Sequence, residues 1–163
     1  AKPKRKLWRI AGIVVAVIFI LSILCLATVV IGSRKVMLER APIESVLDTF
    51  MKDILAKDIR SAYALFSPRA QKHFPIGELQ KLIEGNNYFL FDGYPSLSVE
   101  NINLTAAVTT NPDYPQGNVA NVSGSTEYSG GFSGRFTATL EKVDGEWRIH
   151  FVNVTVPPDK FQP

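Results

Sequence analysis

Few side chains in this sequence could move a proton, and fewer could hold a metal. The imidazoles are His73 and His150, and Asp48 is the carboxylate that borders an apolar helical stretch. Such a group serves as a general base only when it faces a pocket and burial sets its pKa near the working pH. Asp48 follows Leu47 on a predicted helix but lies off that helix's apolar stripe. His150 alternates out of phase with Trp147, Ile149 and Phe151, which makes it a surface or sheet-edge residue. His73 sits beside Lys72 in a broken helical turn. All three read as solvated. No His, Cys, Asp or Glu spacing suits a metal, no Gly-rich loop precedes a helix to hold phosphate, and no nucleophile adjoins an evident base. The expectation is a protein that is not an enzyme and carries no cofactor.

The remaining candidates are aromatic. Tyr63, Phe66, Tyr88, Phe91, Trp147 and Phe151, with Phe89, could line a hydrophobic pocket for a small molecule. Residues of this type more often fill a core, and core filling is the preferred expectation.

The elements that must position these residues begin after an apolar run. Residues 10–31, IAGIVVAVIFILSILCLATVVI, contain no charge. As a helix they would cover roughly 33 Å against a hydrocarbon core of about 30 Å. Apolarity on every face is foreign to a soluble helix, so the run reads as a transmembrane helix. It exceeds the roughly 7–15 apolar residues of a cleaved signal peptide, which favours a retained signal-anchor. Leu24 stands before Cys25, where a lipoprotein signal needs a small residue, and a lone cysteine allows no intrachain disulfide.

Lys2, Lys4, Arg5, Lys6 and Arg9 precede the run, and Arg34, Lys35 and Arg40 follow it. That bias places the N-terminus in the cytoplasm and the C-terminal domain outside, in the periplasm or extracellular space. Lys4, Arg5, Lys6, Trp8, Arg9, Arg34 and Lys35 are the expected membrane-interface residues, with lipid headgroups as their partners. Residues 1–9 then form a basic tail, 32–41 a linker and 42–163 a single domain. Eight of the eighteen Lys and Arg fall before Pro42, leaving ten against fourteen acids in the domain. A mildly acidic domain excludes nucleic acid as its partner.

Within the domain, Pro42 suits the first turn of a helix, and Ile43, Val46, Leu47, Phe50, Ile54 and Leu55 make one apolar stripe. Asp58 can cap a short helix, Ser67-Pro68 can start another, and residues 76–84 give a third that stops at Gly85. Residues 88–91 could form a short strand. The β-rich stretch 96–110 slips phase, which a bulge at Glu100–Asn101 would reconcile. Residues 118–128 form a further strand. Asp144-Gly145 signals a hairpin between a strand carrying Phe136, Ala138 and Leu140 and one whose inward face is Trp147, Ile149 and Phe151. Gly124, Gly130, Gly131 and Gly134 fit bulges and turns. Helices followed by a run of antiparallel strands give an α+β class, with the helices on one face of a curved sheet.

The segments VLDTFMKDILAKD, SAYALFSPRAQ, ELQKLI and RFTATLEKVDGEWRIHFVNV, in that order, resemble the nuclear transport factor 2-like superfamily of cone-shaped α+β domains. The resemblance spans about 115 residues. It implies a cone that holds a ligand or, in members such as ketosteroid isomerases, a catalytic Asp or His. A lesser likeness is to membrane-anchored assembly domains of the cytochrome oxidase and translocase type, which have fewer helices before the sheet. The sequons at Asn103, Asn121 and Asn153 are explained by chance in a β-rich region, and the compact anchor suits a bacterial envelope protein.

The preferred expectation is an accessory or structural subunit of a membrane complex, docked beside other integral membrane proteins through small residues of the span, with an assembly factor as a variant. The alternative is a domain that binds or isomerises a small apolar ligand in the cone.

Overall fold

The first described element is a helix, α1, over residues 36–55, and the structure, a computed structural model, describes residues 36–161. The basic tail, the apolar run and the interface residues Lys4, Arg5, Lys6, Trp8, Arg9, Arg34 and Lys35 lie outside the described residues. Among those described, no helix is long and apolar enough to cross a membrane. The chain divides into two compact units, Ala1–Leu38 and Glu39–Pro163, and the second holds the sheet.

Helix α1 buries Ile43, Leu47, Phe50, Met51 and Ile54; of the expected stripe, Val46 and Leu55 are half-buried, and Met51 is an addition. It does not begin at Pro42, which sits within the helix and removes one rung of its hydrogen-bond ladder. Side chains just ahead of the proline anchor this end of the helix. The Glu39 carboxylate accepts from Trp147 Nε1 at 2.6 Å and from Lys142 Nζ at 2.7 Å, and Arg40 Nη1 donates to the Val99 carbonyl at 2.8 Å. These charge-assisted bonds tie the residues expected as a linker to the sheet.

The short helices follow their caps. Asp58 Oδ1 accepts from the Ser61 amide and starts α2 (Ile59–Ala64). Ser67 Oγ accepts from the Ala70 amide and starts α3 (Pro68–His73), with proline at the first helical position. Helix α4 (Ile76–Glu84) buries Leu79 and Ile83 and ends at Gly85. The expected short strand at 88–91 is instead part of a 3₁₀ turn, Asn86–Leu90. The amides of Tyr88 and Phe91 are taken up by the carbonyls of Gly85 and Tyr88, and the Tyr88 hydroxyl donates to the Leu55 carbonyl of α1, so the segment satisfies itself without a strand partner.

Four antiparallel strands complete the unit in the order β1 (Ser96–Ala107), β2 (Gly117–Glu127), β3 (Ser133–Val143), β4 (Glu146–Thr155). The Asp144-Gly145 turn joining β3 to β4 has positive φ at both residues, as a type I′ hairpin requires. The β1–β2 register shifts between Val99 and Asn101, so Glu100 is the extra residue. Leu97 and Val99 thereby share a face with Ile102 and Leu104. The helices and this face form one apolar core containing Ile54, Phe66, Leu79, Ala120, Leu140 and Ile149. On the other face, Asn103, Asn121, Thr139 and Phe151 lie side by side across the four strands, with Asn101, Ser123, Thr137 and Asn153 in the next row. The three sequon asparagines are exposed there.

Candidate functional site

A second register shift, between Thr139 and Leu140 of β3, builds the site. Leu140 pairs with Ile149 and Thr139 with Phe151, so His150 is the extra residue of a bulge in β4. Strict alternation would have pointed Phe151 inward with Trp147 and Ile149. The bulge reverses the phase, turning Phe151 outward to 56 % exposure and Val154 and Val156 into the core.

β4 is also an edge strand. Its first half is covered, because the Ser67 amide donates to the Ile149 carbonyl and the Ile149 amide to the Leu65 carbonyl. Its second half borders a cavity of about 360 Å³ roofed by Phe50, Phe66, Ala70, Phe74, Leu79, Leu82, Leu90 and Phe91. The five consecutive residues His150 to Val154 line this cavity. Successive strand side chains point to opposite faces, so a run of lining residues means the cavity abuts the strand's edge and its main-chain groups. The walls are otherwise aliphatic and aromatic; Phe50 and Phe66 meet edge to face at 5.6 Å.

The polar lining residues are His73, His150 and Asn153, the last in the exposed outer row of the sheet. Both histidines line the cavity. His73 Nε2 lies 3.0 Å from Asp113 Oδ1 in the β1–β2 loop. His150 Nδ1 is buried and lies 3.7 Å from Oε1 of Glu141 on β3. Glu141 alternates away from the Leu140 face yet is 0 % exposed. Arg69 Nη1 donates to its Oε2 at 2.7 Å and the Gln116 amide donates to the same atom at 3.1 Å. Arg69 Nη2 also reaches the Gln116 side chain, so α3 and the β1–β2 loop together close over the carboxylate. Its Oε1 and His150 Nδ1 are left without a hydrogen-bond partner.

Burial holds the His150 imidazole below the ordinary histidine value; the Glu141 charge pulls it up, and Arg69 and His73 push it down. A base whose folded-state pKa is depressed binds fewer protons than in the unfolded chain. Its contribution to stability is therefore complete above about pH 6.5 and is lost as pH falls below that value. Urea unfolding at pH 7.5 and 5 is expected to show a drop for the native chain that is smaller in His150→Phe. Equal drops in the two proteins would mean that His150 is not the group responsible.

The aromatic candidates separate. Phe66, Phe91 and Phe151 line the cavity. Tyr63 packs on Phe66 and donates to the Gln71 carbonyl, Tyr88 is held to Leu55 with Lys57 over its ring, and Trp147 is occupied by Glu39. Asp48 accepts from the Tyr94 hydroxyl and from Lys52, a structural role on α1. Burial and that hydrogen bond push the Tyr94 phenol well above its ordinary range. Among the described residues, no group of three His, Cys, Asp or Glu side chains is placed to hold a metal ion. Arg69 and Glu141 stand 72 positions apart, and no local pattern in the sequence marks either as part of the site.

Helices packed against a four-stranded antiparallel sheet, with an apolar cavity at the sheet's edge, define the class of this α+β domain. No family model matches the chain, and no curated protein matches it. It is similar to a solved structure from Nostoc punctiforme, a protein of unknown function with a cystatin-like fold, at 12 % identity and a TM-score of 0.48. That similarity covers 74 % of this chain and 92 % of the other.

Proposed function

We propose that the domain binds a small, largely apolar molecule in the cavity beside β4, and that residues 10–31 tether it to a membrane with the domain on the extracytoplasmic side. The observation that carries this reading is the cavity itself. At about 360 Å³ it falls within the roughly 300–1,000 Å³ of ligand pockets, with apolar walls and a few convergent polar groups. Phe66 and Phe91 belong to the buried core, as core filling expects, and the space left beside them favours a ligand as well. The reading also takes the chain as a nuclear transport factor 2-like cone, whose order of helices and then strands it shares.

Leu82 lines the cavity and is half-buried, so a larger side chain there fills the space without rebuilding the core. The protein in lipid nanodiscs is expected to bind phenylnaphthylamine saturably, with one site above the background of empty nanodiscs. Leu82→Trp is expected to weaken that binding at least tenfold while circular dichroism stays unchanged. Background-level fluorescence with the native chain would end the reading.

The tether places the domain among integral membrane proteins, and Ala11, Gly12, Ala16, Ser22 and Ala27 are small enough for close helix packing. Partnership with a membrane complex therefore remains part of the proposal, as accessory subunit or assembly factor. The Asn, Ser and Thr rows of the outer sheet face supply no large apolar patch for it, which leaves the tether as its support. A partner that co-purifies from native membranes and is lost when residues 10–31 are exchanged for an unrelated span is the expected result.

A further inference from the structure

The polar groups around the cavity show what kind of molecule fits it. Arg69 and Glu141 already form an ion pair at 2.7 Å, and His73 already faces Asp113 at 3.0 Å. The Arg69 and Glu141 charges beside His150 are therefore matched with each other, which leaves neither for a charged ligand. His150 remains. Its Nδ1 is buried and turned toward Glu141 Oε1, so Nε2, on the far side of the ring, is the nitrogen available to the cavity.

The tautomer follows from the neighbour. Oε1 of Glu141 is a buried acceptor without a donor, 3.7 Å from Nδ1. A bare Nδ1 would set lone pair against lone pair, whereas a proton on Nδ1 pairs both orphaned atoms after a sub-ångström approach. With the proton on Nδ1, Nε2 is left as an acceptor. Resting on the ligand-binding reading above, we infer that His150, held in this tautomer by Glu141, selects an uncharged apolar molecule carrying one hydroxyl or other hydrogen-bond donor at the end nearest β4. Burial favours the neutral ring at pH 7, in keeping with the acceptor role. Glu141 is a positioning residue; His150 makes the contact.

Naphthol and its methyl ether separate this inference from the one beneath it, because they share an apolar body and differ in the donor. Titrated into the full chain in nanodiscs against empty nanodiscs, naphthol is expected to bind about tenfold more tightly than the ether, the value of one buried hydrogen bond. In His150→Phe that preference is expected to fall below about twofold, since the hydrogen bond to Nε2 is gone. Glu141→Gln offers Nδ1 an N–H and moves the ring proton to Nε2, so it too should remove the preference. Equal binding of the two probes by the native chain overturns the inference and leaves the cavity reading standing. Binding of neither overturns both. A preference that survives Glu141→Gln overturns the positioning role.

Discussion

Arg69→Met is expected to destabilise the domain by about 3 kcal/mol, because breaking a buried ion pair from one side strands the other charge. The Glu141 side chain is 0 % exposed and that of Arg69 is 30 % exposed, which places the loss toward the lower end for such pairs. Methionine keeps the aliphatic packing and deletes the guanidinium. Glu141 Oε2 then retains only the Gln116 amide, and Gln116 loses its own tie to Arg69, so the β1–β2 loop is expected to loosen as well. The urea midpoint should fall by roughly 2 M at constant slope. The double variant Arg69→Met/Glu141→Leu should recover most of the loss, because removing both charges leaves nothing buried and unpaired. A single variant within about 0.5 kcal/mol of the native chain would show that the pair is solvated.

Gly124→Ala is expected to cost a similar amount by a different route. A Cβ on Gly124 would stand 2.0 Å from the Ser98 carbonyl oxygen and 2.7 Å from Phe136 Cε1. The first of these is backbone, fixed on the neighbouring strand beside the Glu100 bulge, and cannot swing aside. Overpacking of this kind costs about 1–3 kcal/mol and more when backbone must move. Gly77→Ala is the control. A Cβ there meets nothing within 4 Å, and Gly77 lies in α4, where alanine is favoured over glycine by roughly 0.5–1 kcal/mol. Thermal unfolding should therefore move in opposite directions for the two substitutions, although both add a single methyl group. A Gly124→Ala protein that melts with the native chain would mean that β1 shifts to admit the methyl, and the bulge at Glu100 would then not depend on glycine.

The legible parts of the fold are those whose physics is local. Asp58 and Ser67 cap their helices because a side-chain oxygen can reach an amide three residues on, and Gly85 ends α4 within the same short range. Asp144-Gly145 turns the chain because those residues tolerate positive φ. The bulge at Glu100 was readable because Leu97 and Val99 are apolar in one phase and Ile102 and Leu104 in the other.

The site was not legible, for the opposite reason. A slip of phase is written in Val152, Val154 and Val156, apolar opposite to Trp147 and Ile149, but Phe151 is apolar too and continues the first alternation, which hides where the slip falls. Only the pairing of β4 with β3 turns Phe151 outward. Glu141 sits in a strand whose pattern makes it a surface residue, and it is buried because Arg69 and Gln116 arrive from distant segments to close over it. Whether the aromatics fill the core or leave a cavity depends on how α3 and α4 stand off β4, a distance that no single stretch of chain encodes. The amino-acid sequence by itself determined the caps, the turns and most of the apolar faces. The tertiary structure alone decided that His150 and Glu141 meet beside a hollow, because that meeting is the outcome of long-range packing.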